Sequence, residues 1–286
     1  PARDPPYPPH NPSFERFMIM KKPTEIHGIG LGYVRGIAED LSQIEADFLE
    51  IQPEEFFGRN DAAQEIAALR ARFPLTVHGT ELSFASLELD RTEHLRRVRE
   101  IVALCRAPWW SEHMAWAETV ERQTDLYIQP FYSEESLSAL LDAAARVRRE
   151  VGVPFHLENV ANLIDLSNTQ QTEAEFFAKF FRGSESRWIL NLDSMILNAA
   201  ERSQDPCELI DTYPLDCVES ITIVFPQSMN REIARRYGTA FEESWKRTLH
   251  HAWENSTARS ILLQRRFPSD TCESLKDRLA RIQSIV

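Results

Sequence analysis

Eight short runs of β-type residues recur along this chain, and the segments between them carry helical periodicity, an alternation that leaves few folds open. The runs are Gly28 to Gly32, Phe48 to Gln52, Leu75 to His78, Trp109 to His113, Pro154 to Glu158, Trp188 to Asp193, Ser220 to Val224 and Ser260 to Gln264. Between them lie segments such as DAAQEIAALRARF, DRTEHLRRVREIVALC, SEESLSALLDAAARVRREVG, TEAEFFAKFF and REIARRYGTAFEESWKRTLHHAWEN, whose apolar residues return every three or four positions. Ser133 reads as a helix N-cap and Gly152 as a helix stop. The pattern predicts a single-domain α/β protein over residues 25–286, a closed parallel (β/α)8 barrel of the TIM type. A doubly wound open sheet would gather its polar strand ends at a switch point beside a glycine-rich phosphate turn. GIGLG at residues 28–32 is not followed by a helix with the third glycine such a turn needs. Residues 1–24, opening PARDPPYPPHNPSF, are proline-dense and poor in apolar residues, so a disordered segment is expected there.

Several of the runs end in side chains able to bind a metal: His78 in LTVHG, Glu112 and His113 in WWSEH, Glu158 in FHLEN and Asp193 in WILNLD. A buried strand ending in a carboxylate or imidazole carries a desolvation penalty of several kcal/mol unless a partner offsets it. In a barrel all such ends meet at one mouth, which also receives Glu50, Gln52 and Asn159. A shared cation is the most economical partner. Imidazole with carboxylate and no thiolate suits zinc, iron or manganese, with iron or manganese at open positions as the sharper expectation. Consecutive strand residues face opposite ways, so only one of Glu112 and His113 enters the barrel while the strand continues. Taken singly, each residue has a plainer role: His78 as a hydrogen-bonded core histidine, Glu112 or Glu158 in an ion pair, Asp193 as a cap. His250 and His251 fall on a helix and are expected at the outer surface, and Trp109, Trp110 and Trp116 in the packing of the wall.

Composition narrows the classes of function. A net charge of −12 argues against a surface that tracks nucleic-acid phosphates. No apolar run approaches the roughly 18 residues that span a bilayer, so no membrane partner is expected. The four cysteines, 105, 207, 217 and 272, are widely spaced and form no C-x-x-C pair, which fits a reducing cytoplasm. Neither a nucleophile elbow nor a P-loop is present.

In order along the chain, GIGLG, DFLEIQPEEFFG, FPLTVHGTELSFAS, WWSEHMAW, QPFYSEESL, FHLENVANLID, EAEFFAKFF and NLDSM resemble the multinuclear non-haem iron-dependent oxidative enzymes, the barrel family that includes the methanobactin biosynthesis oxidase. The likeness covers Gly28 to Asp193 closely and the remainder loosely. It implies a barrel whose irons use dioxygen to rearrange cysteine or another residue of a ribosomally made peptide, beside a partner protein that binds the leader. His78, Glu112 or His113, Glu158, Asn159 and Asp193 fall on ligand or near-ligand positions, and Glu50 and Glu54 on a polar second strand. The chain departs from the pattern at Thr222 and Pro226, where the family has histidines, and at Gln264, Arg265 and Arg266, where it has an acid. Met195 and Ile196 replace asparagines.

The expectation that follows is a divergent oxidase or oxygenase of natural-product biosynthesis with one or two non-haem irons, manganese being the alternative ion. His78, Glu112, Glu158 and Asp193 would bind the metal, Glu54 and His113 carry protons, and Asn159, Gln264, Arg265 and Arg266 hold the peptide substrate. Two other readings remain open: a metal-free barrel acting as a binding or scaffold subunit, and a sugar-isomerase-like enzyme with one ion on Glu158 and Asp193.

Overall fold

Eight parallel strands close on themselves in this protein, as the alternation predicts. The computed structural model describes residues 25–35, 40–86, 90–118, 123–162, 169–223, 240–264 and 271–286. Within them the strands are β1 (Gly28–Gly32), β2 (Phe48–Ile51), β3 (Leu75–His78), β4 (Trp110–His113), β5 (Trp116–Glu118), β6 (Gln123–Ile128), β7 (Phe155–Glu158), β8 (Trp188–Asn191), β9 (Val218–Ile223) and β10 (Ser260–Leu263). The helices are α1 (Ala62–Arg70), α2 (Thr92–Cys105), α3 (Glu134–Val151), α4 (Glu173–Gly183), α5 (Leu192–Glu201), α6 (Pro206–Ile210), α7 (Ala240–Asn255) and α8 (Cys272–Gln283). Around the barrel the order is β1, β2, β3, β4, β7, β8, β9, β10 and back to β1. The expected disordered segment 1–24 lies outside the described residues.

Strand alternation sorts the wall into two faces. Leu49 and Ile51, Leu75 and Val77, Phe155 and Leu157, Trp188 and Leu190, Ile221 and Ile223, and Ile261 and Leu263 belong to the large core between strands and helices. The opposite face looks into the barrel. Phe48, Ile189 and Leu262 join Ile26 and Trp109 in a separate small apolar cluster, which forms the floor of the interior. Two residues beyond Phe48 and Ile189 the same face carries Glu50 and Asn191, and on β7 it carries His156 and then Glu158, all buried. The interior is therefore apolar at its base and polar towards the C-terminal rim, which is where barrel enzymes do chemistry.

Local signals set the helix ends. The Ser133 side chain accepts a hydrogen bond from Ser136 N at the start of α3, and Gly152 closes that helix at φ +87°. Thr172 and Glu175 form a reciprocal capping box at the start of α4. Two elements differ from the sequence expectation. The run read as a strand to Asp193 ends at Asn191, because the Asn191 side chain accepts from Ser194 N and starts α5 there. Between β4 and β7 the chain makes an antiparallel hairpin of β5 and β6 that takes no place in the barrel wall. The four cysteines are all free, as their spacing implies.

Gly30 has no side chain because Phe48 fills the adjoining space: a Cβ at residue 30 would lie 2.3 Å from the Phe48 ring. That ring is buried in the floor and cannot swing into solvent. Gly30→Ala is expected to lower the unfolding free energy by about 1–3 kcal/mol, as overpacking in cores does. The readout is a lower urea midpoint at unchanged slope.

Candidate metal centre

His78, on the last residue of β3, and Ser111 of β4 are register partners on the inward face. His113 and Glu158 are partners in the same way across β4 and β7. Closure brings the three metal-capable groups together: one ligand atom from each of His78, His113 and Glu158 lies within 4.8 Å of the other two, and among the described residues no further group of this kind is found. The His78 and His113 rings meet edge to face with centroids 4.7 Å apart. His78 Nε2 lies 3.4 Å from Glu158 Oε2.

Each of the three is held by a neighbour. His78 Nδ1 is 2.9 Å from Ser111 Oγ, which leaves Nε2 buried and without a hydrogen bond. Burial, and then the neighbouring His113, pushes the His78 imidazole well below its usual range. Burial thus favours the neutral imidazole, the form that binds metals. The His113 ring lies against Tyr127 of β6 at 3.9 Å and 22°, and Tyr127 is fixed in turn by its hydroxyl, which donates to Thr80 O at 3.2 Å. Glu158 Oε1 accepts from Asn191 Nδ2 at 2.6 Å. Asn159 braces that contact from below: its Oδ1 accepts from Asn191 N at 2.8 Å and Trp188 Nε1 at 2.9 Å, and its Nδ2 donates to Asn191 O at 3.1 Å.

The expected metal set of His78, Glu112, Glu158 and Asp193 is thus assembled only in part. Glu112 shares the outward parity of Trp110, and its carboxylate turns back to accept from Leu82 N at 2.8 Å and from His113 N. It anchors the loop after β3 and stands 3.4 Å from His113 Nδ1. Asp193 lies past the strand, in the first turn of α5, and is outside the group of three. Glu54, expected as a proton carrier, sits in a 3-10 turn after β2, where Oε1 accepts from Thr80 N at 3.2 Å and Oε2 is buried without a hydrogen bond. Glu50 faces the interior, and burial followed by the charge of Glu158 holds its carboxyl well above the usual carboxylate range. Gln52 is exposed. Thr222 is the inward-facing register partner of Asn191. Gln264 directly follows β10 and is half-buried, while Pro226, Arg265 and Arg266 lie outside the described residues.

Three residues of this neighbourhood were not among those anticipated. Asn191 could have been found by counting in twos from the floor residue Ile189, since asparagine is also a preferred N-cap. His94, whose Nε2 lies 3.5 Å from Glu54 Oε1, sits on the inner side of the α2 pattern and carries no sequence signal beyond that. Tyr127 depends on the hairpin, which the wall pattern does not announce.

Asn191 has two separable duties, as helix cap and as donor to Glu158. In metal-free protein Asn191→Ser, which keeps a capping oxygen but loses the donor, is expected to cost about 1.5–3 kcal/mol, the range for a hydrogen bond to a charged group. Asn191→Ala is expected to cost about 1 kcal/mol more for the lost cap. Urea unfolding of the two variants reads the difference.

Comparison with known proteins places the chain. The model of a family described as RiPP precursor modification enzyme MbnB/TglH/ChrH matches residues 28–286. The UPF0276 protein of Alcanivorax borkumensis is 24% identical over 265 residues, covering 87% of each chain. That of Haemophilus influenzae is 27% identical over 206 residues, covering 70% of this chain and 66% of its own. Among solved structures, the 3-keto-D-glucoside 4-epimerase YcjR of E. coli superposes with a TM-score of 0.56 at 13% identity, covering 90% of this chain and 98% of that one. The probable 3-DHS dehydratase AsbF of Bacillus anthracis also gives 0.56, at 10% identity, with coverage of 90% and 98%. At such identities these structures share the fold alone.

Proposed function

The chain belongs to the family of RiPP precursor modification enzymes MbnB/TglH/ChrH, and from that premise we propose that it oxidatively modifies a cysteine of a ribosomally made precursor peptide, using a non-haem iron held by His78, His113 and Glu158. The observation that carries this reading is the His78 Nε2 atom, buried and without a hydrogen bond, facing Glu158 Oε2 at 3.4 Å. Two imidazoles and one carboxylate form the donor set that suits iron with open positions. His113 therefore takes the ligand role first expected of Glu112. When bound, the iron supplies redox chemistry with dioxygen and positions at which a substrate sulfur can be held.

The chain's own residues do the rest. A metal on His78 Nε2 requires the tautomer with Nδ1 protonated, and Ser111 Oγ, 2.9 Å from Nδ1, is placed to accept that proton's hydrogen bond. Tyr127 and the main chain beneath it hold the plane of His113. Asn191 engages one oxygen of Glu158, leaving the other aimed at His78. Glu54, with Oε2 buried without a hydrogen bond and Oε1 3.5 Å from His94 Nε2, is the general acid or base of this reading. A partner protein that binds the leader, as the family resemblance implies, would bring the peptide to this rim.

Metal analysis of anaerobically purified protein tests the proposal. About one iron per chain is expected, as a single site of three protein ligands holds. His78→Ala should remove most of it, and Ser111→Ala should weaken retention against a chelator by about 10–100-fold, the usual effect of losing a partner of a ligating histidine. Protein with neither iron nor manganese nor zinc, or a His78→Ala variant that keeps its metal, overturns the reading.

A further inference from the structure

Glu112 belongs to the outward-facing residues of β4, yet its carboxylate folds back around the end of the strand and is 1% exposed. Both of its oxygens accept from main-chain N–H groups, Oε1 from Leu82 N at 2.8 Å and Oε2 from His113 N. Bonding of that kind suits an ionised carboxylate. Oε2 also stands 3.4 Å from Nδ1 of the His113 ring. Within a continuing strand the two neighbours would point apart. They meet because β4 ends at His113 and the chain bends at Met114 and Ala115.

Tethering the loop after β3 uses Oε1 alone. An amide oxygen would serve Leu82 N as well, without burying a charge, a step that is unfavourable by several kcal/mol. What the second oxygen adds is an acceptor beside His113 Nδ1. The gap of 3.4 Å is longer than the roughly 2.7–3.2 Å of a formed bond, and such contacts are often long in unliganded sites. The two imidazoles of the group of three are therefore backed differently. Nδ1 of His78 faces the hydroxyl of Ser111, which can donate or accept, whereas Nδ1 of His113 faces a carboxylate, which can only accept. Only the second arrangement leaves no choice of tautomer.

We propose that Glu112 is the positioning residue of His113, holding the ring proton on Nδ1 so that Nε2 carries the lone pair offered to a metal. The proposal rests on the reading of His78, His113 and Glu158 as a metal centre, and it says what directs one of the two imidazoles before any ion arrives. Glu112 stands outside the group of three, as a residue behind a ligand does. The same loop also fixes the face of the ring. Leu82, which donates to Glu112, is two residues past Thr80, whose carbonyl receives the hydroxyl of the Tyr127 stacked on His113. Edge and face of the imidazole are thus set from residues 80–82.

Long-range proton–nitrogen NMR of the imidazole rings tests it, on full-length protein stripped of metal and held at about pH 8, above the usual histidine range. His113, assigned by the signal lost in His113→Gln, is expected to carry its proton on Nδ1. Glu112→Gln keeps the size and one acceptor but puts an amide N–H group in place of the other oxygen, so the preference for Nδ1 should disappear. Iron retention against a chelator should fall about 10–100-fold in the same variant. Ser83→Ala loosens the same loop, by removing the acceptor of Ala117 N, and should leave the His113 tautomer as it is. A wild-type ring protonated on Nε2, a preference that survives Glu112→Gln, or one lost equally in Ser83→Ala overturns the proposal. Should Glu112→Gln not fold, the wild-type tautomer decides, Nδ1 in favour and Nε2 against. Iron loading of parallel samples separates the two claims: a Glu112-dependent tautomer in protein that takes up no metal sinks the iron centre and keeps the positioning role, and bound iron with a Glu112-independent tautomer does the reverse.

Discussion

Closure of the parallel sheet governs everything else in this molecule. Once β10 pairs with β1, every strand has two fixed neighbours, and each inward side chain has a set height and set companions. His78 is placed beside Ser111 and His113 beside Glu158 by main-chain register alone. A slip of one residue in β4 would turn Trp110 and Glu112 inward and send His113 towards the helices. Trp110 is fully buried in the outer core, so that slip would also expel a large apolar side chain from its packing. The identity of the inward imidazole is thus secured by hydrophobic packing on the other side of the wall.

The barrel interior then has to accommodate charge. Glu50 and Glu158 both face it, and burial followed by the charge of Glu158 makes ionisation of Glu50 less favourable. The residues nearest Glu158 answer this with neutral groups: an amide from Asn191 and an imidazole, His78, whose proton affinity burial has lowered. Protein dipoles of this kind orient a carboxylate but offset only part of its desolvation. A cation between the imidazoles and Glu158 would complete the balance, which makes the proposed iron a structural asset as well as a chemical one.

Much of this was legible from the chain. The eight wall strands and most of the helices follow from periodicity, and His78, His113 and Glu158 from polar residues at strand ends. The choice between Glu112 and His113 was not, because parity states that one of them enters and leaves open which. Only the partner strand decides, through the pairing of His113 with Glu158. The strand read through to Asp193 stops at Asn191 because a strand and the first turn of a helix can share an apolar run, and the cap at Asn191 is what divides them. Tyr127 and His94 reach the site from elements whose local patterns describe a hairpin and an outer helix. Their contribution is tertiary, and no local signal encodes it.

The ring stacked on His113 comes from a hairpin that the barrel does not need. Its two strands can lengthen, shorten or change residues without disturbing any rung of the surrounding ladder. The ceiling over the imidazole is in this sense a separate part mounted on a fixed frame. Length and sequence beyond Tyr127 can therefore vary and reshape the approach to the imidazole, while the strand ladder that sets His78, His113 and Glu158 keeps its register.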